Sequence, residues 1–290
     1  MRKKTKFEKR RSMAGYIFLS PWIFATLFLL IYPVIFSLML SFGEIKNYVT
    51  YSVNFVGINN YREAFIVDDK FLPLLLTSIS DMLINTPMIL VFSLIVAIIL
   101  NRKIKFRAGF RLIFFLPVLL GSGYIMQQLL GQNVQGDSLE FARGMLLPDN
   151  VQMYIGQTAT KYITDFFSRI TLIMWKSGVQ IILALSGLQG ISPSLYESSR
   201  IDGASEWEIF WKITLPMITP ILLLNAVYTI ISFAIEDNDL LNYVISVAFS
   251  DNRFEYSSAL GWLYFVVVLL MIGIVFIILK PFIKRLNENS

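Results

Sequence analysis

Ala259-Leu260-Gly261-Trp262-Leu263-Tyr264-Phe265-Val266-Val267-Val268-Leu269-Leu270-Met271-Ile272-Gly273-Ile274-Val275-Phe276-Ile277-Ile278-Leu279 carries no charged side chain. As a helix it would be about 30 Å long, the thickness of a bilayer's hydrocarbon core. Lys280, Lys284 and Arg285 follow it, as basic residues do at the cytoplasmic end of a span. Upstream, comparable apolar stretches lie at 16–40, 72–100, 112–130, 166–188 and 215–235. Lipid offers the backbone no hydrogen-bond partner, so segments of this length must bond internally as helices. The expected fold is an all-α polytopic membrane protein with six transmembrane helices. Composition agrees: charged residues are 16% of the 290, hydrophobic residues 56%, and mean hydropathy is +0.63, whereas soluble chains carry about 25% charged residues.

Orientation follows from Lys and Arg between the spans. Seventeen fall in 1–15, 101–111, 189–214 and the tail, against six in the intervening loops. Both termini are therefore expected in the cytoplasm, with 1–15 a basic cytoplasmic segment and 16–290 a single transmembrane domain. The 16–40 stretch is expected to be a permanent first span, since its apolar run exceeds a signal-peptide core. Asp81, Asn85 and Pro87 interrupt the second segment, so a short helix is expected before the span proper. Outer loop 131–165 is expected to hold a short amphipathic surface helix near Asn150–Tyr162.

Composition also excludes chemistry. There is no Cys and no His, which removes disulfides, thiol nucleophiles, thiolate metal sites and the usual general base. No phosphate-binding G-x-x-x-x-G-K-[ST] loop occurs. The net charge of +5 comes from basic residues flanking apolar spans, as expected of a lipid-facing protein and not a nucleic-acid binder. Neither catalysis nor a cofactor is expected in this chain.

The loop at 189–214 has strong local signals. Ser192-Pro193 starts a helix with an N-cap and proline at the first position. Gly203 supplies a left-handed stop, and Ser205 with Glu208 forms a capping box for a second helix running into Leu215-Pro216. A helix–turn–helix at the membrane surface is expected, exposing Tyr196, Trp207, Phe210 and Trp211. Two roles fit it: an interfacial hairpin with aromatics among lipid headgroups, or a docking element for a cytoplasmic partner.

The spacing of Tyr196-Glu197-Ser198-Ser199-Arg200-Ile201-Asp202-Gly203-Ala204 and, further on, Ile213-Thr214-Leu215-Pro216 resembles the EAA loop of ABC importer permeases. Ser198 and Ser199 stand where that family prefers alanine. Ala14-Gly15-Tyr16 through Pro21, Tyr32-Pro33, Ser41-Phe42, Phe55–Tyr61 and the stretch from Asn101-Arg102 to Pro117 resemble MalF-type carbohydrate permeases. The resemblance implies an importer of sugars or related solutes in a prokaryotic plasma membrane. Its implied partners are a second, different permease subunit forming a heterodimer, two ATPase subunits using ATP and magnesium, and an extracytoplasmic binding protein. It also implies that Tyr196, Glu197, Ser198, Ser199, Asp202 and Gly203 form the ATPase-coupling loop. A permease for a non-sugar solute, and a secondary carrier, are the alternatives.

Polar residues inside spans are functional candidates because lipid makes them costly. Lys176 stands about ten residues into the fourth predicted span, beside Trp175. Tyr124, Gln127, Trp175, Lys176, Asn225 and Tyr228 are candidates to line a sugar path, since carbohydrate sites combine aromatic faces with amide and hydroxyl groups. Hydrogen bonding between helices is the competing role for each.

Overall fold

The computed structural model describes residues 18–47, 52–102, 156–236 and 238–288, with Gly109. The basic segment 1–15, nearly all of the stretch 101–111, the predicted third span 112–130 and most of loop 131–165 lie outside these residues. The chain divides into two compact units, Met1–Ser78 with Asp237–Val267, and Ile79–Glu236 with Val268–Ser290.

In the first unit, helix α1 spans Phe18–Ser41. Within it, Leu27–Ile31 widens into a π-helical turn just before Tyr32-Pro33. Proline lacks an N–H and crowds the carbonyl four residues back, and a π turn relieves that conflict. An antiparallel ribbon follows, β1 (Gly43–Asn47) against β2 (Ser52–Phe55), with Gly43 opposite Phe55 and Ile45 opposite Val53. A Cβ at Gly43 would collide with the Val53 side chain, so glycine lets the ribbon close here without displacing that valine. Helix α2 (Asn59–Ile66) is tied back to this joint. Asn60 Nδ2 donates to the carbonyls of Ser41 (3.0 Å) and Gly43 (2.9 Å), and the Tyr61 hydroxyl shares a 2.7 Å bond with Ser41 Oγ. The Phe55–Tyr61 motif thus fastens α1 to the ribbon and helix that follow it. The unit also holds the start of α3 (Phe71–Asn101), all of α8 (Asp239–Phe249) and the first half of α9 (Phe254–Glu288).

The second unit contains the body of α3, α4 (Gln157–Lys176), α5 (Gly178–Gln189), α6 (Pro193–Ile201) and α7 (Glu206–Ile235). Its core joins Leu94, Ala97 and Leu100 of α3 to Ile181, Ala184, Leu185 and Leu188 of α5 and Ile218 of α7. Gly187 sets the α5–α7 approach: a Cβ there would lie 3.0 Å from side-chain carbons of Ile218 and Ile221. Small residues let helix backbones close up in lipid, where packing replaces the hydrophobic drive. Another π turn, Phe210–Thr214, lies inside α7 just before Leu215-Pro216.

Four helices are long and apolar enough to span a membrane among the described residues, Phe18–Ser41, Phe71–Asn101, Glu206–Ile235 and Phe254–Pro281. The pair α5–α6, bent by 63°, makes a fifth if it counts as one span. Three expectations change. The second segment is one 31-residue helix through Pro87, not divided into a short helix and a span. The segment predicted at 166–188 is divided at Ser177, where Ser177 Oγ bonds the Met174 carbonyl at 3.1 Å. Serine back-bonding followed by Gly178 weakens the helix there. The surface helix expected near Asn150–Tyr162 does not end at Tyr162; its described part, from Gln157, is the first turn of α4.

Candidate functional site

The hairpin formed by α6 and the start of α7 is built from local bonds. Ser192 is extended (φ −62°, ψ 129°) with Pro193 opening α6, but its hydroxyl pairs with Ser194 Oγ at 2.8 Å and makes no cap bond. Ser198 and Ser199 both donate to the Leu195 carbonyl, at 3.2 and 2.7 Å. Their hydroxyls are absorbed by the helix, so the face stays as compact as alanine would make it. Asp202 ends the helix, and Gly203 turns it at φ +82°. Gly203 N–H donates to the Arg200 carbonyl (3.1 Å) and Ala204 N–H to that of Ser199 (3.0 Å), the paired bonds of a Schellman stop.

Arg200 reaches across the turn to Glu206 at 3.0 Å. Ser205 and Glu208 then form a complete capping box: Glu208 N–H donates to Ser205 Oγ (3.3 Å), and Ser205 N–H to Glu208 Oε2 (3.0 Å). Glu197 points outward and exposed. Trp207 is 69% exposed and Trp211 48%, packed edge to face, with Ile201 at 86% nearby in sequence. Tyr196 and Phe210, expected on the surface, are half-buried against the α3–α5–α7 core. Apolar contact outcompetes exposure for both rings, and the Tyr196 hydroxyl finds Thr214 Oγ1 at 3.2 Å.

The intramembrane candidates separate. Asn225, wholly buried, donates from Nδ2 to the Gln180 carbonyl (3.0 Å); Gln180 Nε2 donates to Thr229 Oγ1 (3.0 Å), which donates to the Asn225 carbonyl (2.8 Å). Asn225 thus sits in an α5–α7 bonding network. Gln180 and Thr229 belong to it, though sequence alone did not bring them together. Tyr228 is 39% exposed and Trp175 37%. Lys176 is the last residue of α4, not a mid-helix position, and faces Glu236 at 3.5 Å and the Phe233 ring at 4.9 Å. Tyr124 and Gln127 lie outside the described residues. Among the described residues no group of acidic side chains is placed to hold a metal ion.

A polar cluster in the first unit escaped the sequence. Asp68 caps α3, Oδ1 accepting the N–H groups of Lys70 (2.9 Å) and Phe71 (3.0 Å), while Oδ2 accepts the hydroxyls of Tyr243 (2.8 Å) and Tyr256 (2.6 Å). Burial alone would raise this carboxyl, but the bonds from Tyr256, the two N–H groups and Tyr243 outweigh it and hold it below its ordinary value. The Tyr243 hydroxyl is pushed above its usual range by burial and then by Asp68. Nearby in the same unit, Arg253 grips Glu63 with two 2.8 Å bonds, which raise the guanidinium further, and lies over the Tyr256 ring at 4.5 Å. Asp68 just before Phe71 was a legible cap signal; its tyrosine partners were not.

Four long apolar helices, one of them running on from a capped hairpin, are the fold of a polytopic α-helical membrane protein. Residues 66–288 match the family described as binding-protein-dependent transport system inner membrane component, and the chain belongs to that family. It is similar to the probable ABC transporter permease protein YesP of Bacillus subtilis, 29% identical over 96% of this chain and 92% of that protein. The arabinooligosaccharides transport system permease protein AraP of Bacillus subtilis is 26% identical over 90% of this chain and 87% of its own. A chain from the crystal structure of a bacterial alginate ABC transporter, solved with an alginate pentasaccharide-bound periplasmic protein, shares the fold. Its TM-score is 0.64 at 20% identity, over 95% of this chain and 96% of that one. The protein is a multi-pass component of the plasma membrane and a permease of an ABC importer.

Proposed function

We propose that this chain is one of two non-identical permease subunits through which a saccharide, delivered by an extracytoplasmic binding protein, enters the cell. ATP and magnesium act in a pair of partner ATPases. The observation that carries this is the inner hairpin: a Schellman stop and a capping box fix its angle, and its second arm continues without interruption into α7. Exposed Glu197, Ile201, Trp207 and Trp211 give an ATPase a polar and apolar surface to grip. Tyr196, Ser198, Ser199, Asp202 and Gly203 hold that surface in shape. The relatives' names support a saccharide cargo, and Trp175, Lys176 and Tyr228, with Tyr124 and Gln127, are the proposed path, braced from behind by Asn225 in the α5–α7 network. Six spans with both termini in the cytoplasm complete the proposal.

The test is reconstitution of the co-purified complex in proteoliposomes with its binding protein. ATP-dependent uptake of a labelled oligosaccharide is expected. Uptake by this chain alone, driven by an ion gradient without ATP, would instead establish a secondary carrier.

A further inference from the structure

We propose that Lys176 reads a carboxylate on the cargo, so that this permease carries acidic, uronate-containing saccharides; this rests on the saccharide-import function proposed above. The Lys176 side chain is only 12% exposed, yet its ion pair is loose: Glu236 Oε2 stands 3.5 Å away, where a charge-assisted N–H···O bond closes to about 2.8 Å. The same Glu236 oxygen already accepts Ser232 Oγ at 2.8 Å. Glu236 is 55% exposed and lies just beyond the end of α7 in an extended conformation. Its carboxylate is held by its own helix and by solvent more than by the lysine.

An ammonium has three donors, and among the described residues Lys176 directs one to that long contact and sets its charge over Phe233. The first turn of α5 begins two residues later, and its positive end offsets the negative C-terminal end of α4, on which Lys176 is the last residue. Trp175, adjacent and partly exposed, offers a face on which a sugar ring can rest. A path for neutral sugars needs amides and hydroxyls, whereas the mostly covered ammonium of Lys176, held by one long ion pair, suits a charged group. A cargo carboxylate replaces Glu236 on Lys176, and Glu236 turns outward to water.

The experiment uses the whole complex in proteoliposomes, with three labelled probes: a galacturonate oligomer, its methyl ester, and the neutral galactose oligomer. The parent is expected to import the acid and to lose uptake on esterification. Lys176→Gln should cut uptake of the acid about tenfold, the worth of one charged hydrogen bond, and Lys176→Arg should restore most of it. Glu236→Gln removes the internal competitor and should lower KM for the acid several-fold, an effect opposite in sign to structural damage. Import of the neutral oligomer but not the acid overturns the proposal, as does an equal loss of all cargo in Lys176→Gln or a raised KM in Glu236→Gln. ATP-dependent import of none of the three overturns this proposal alone; the saccharide function falls only if neutral oligosaccharides of other sugars, offered to the same vesicles, also stay outside.

Discussion

Replacing Gly203 with valine tests whether the hairpin's angle matters. Gly203 holds φ +82°, and a Cβ there would meet nothing within 4 Å, so the substitution introduces no clash with neighbouring atoms. Its whole cost is the backbone, roughly 1–2 kcal/mol for an L residue in this region, toward the upper end for a β-branched one. The turn is held by the Gly203–Arg200 and Ala204–Ser199 bonds and the exposed Arg200–Glu206 pair, each bond worth about 1 kcal/mol net. The penalty is therefore of the same order as the turn's own stability and shifts its population by about 5- to 30-fold. Asparagine, which tolerates the left-handed region, is the control of similar polarity. In the reconstituted complex, Gly203→Val is expected to reduce uptake and ATPase retention on purification at unchanged membrane level, with Gly203→Asn close to the parent. Equal uptake by both variants and the parent would refute a coupling role for the turn's geometry.

Glu197→Lys, which reverses an exposed charge and breaks no bond within the hairpin, should weaken ATPase co-purification and leave the chain inserted; undiminished co-purification and uptake would count against ATPase docking there. Gly187→Val should destabilise the α5–α7 contact by about 1–3 kcal/mol through overpacking against Ile218 and Ile221, read as a lower Tm of the solubilised complex. Asp68→Asn should also lower Tm, and the gap should close in acid. The carboxyl is lower in the folded state, so its contribution is full above its unfolded value near about pH 4 and fades as pH falls through the folded value; a gap that persists or grows in acid would contradict this. The purified chain, freed of contaminating ATPase, is expected to hydrolyse no ATP, and measured turnover would contradict that.

Local signals were legible because their causes lie within a few residues. Leu215–Ile235 in α7 coincides with the expected stretch: Pro216 marks its start and the charge of Glu236 its end. The Pro193 start, the Gly203 turn and the Ser205–Glu208 box rest on bonds between residues no more than five positions apart. The ribbon at Gly43–Phe55 was not legible, because its pairing depends on Gly43 fitting against Val53 across the turn. Nor was the Asp68 cluster, whose bond to Tyr256 joins residues 188 positions apart. The break at Ser177 lay hidden inside an apolar run, because hydropathy averages over a serine–glycine step that hydrogen bonding does not ignore. Lys176 looked like a charge stranded in mid-span, since its partner Glu236 lies 60 positions on.

The passage of the hairpin's second arm into α7 makes a single beam from Glu206 to Ile235. One bearing is the notch at Gly187, where Ile218 rests. From that fulcrum the beam extends about 20 Å to the capping box and about 27 Å to Glu236 at 1.5 Å per residue. A tilt about Ile218 swings the two ends in opposite senses, the far end roughly a third further than the near one, and strains the bonds of Gln180 to Asn225 and Thr229. On the proposed coupling role, a stroke delivered to the hairpin arm would arrive inverted and enlarged at the carboxylate beside Lys176.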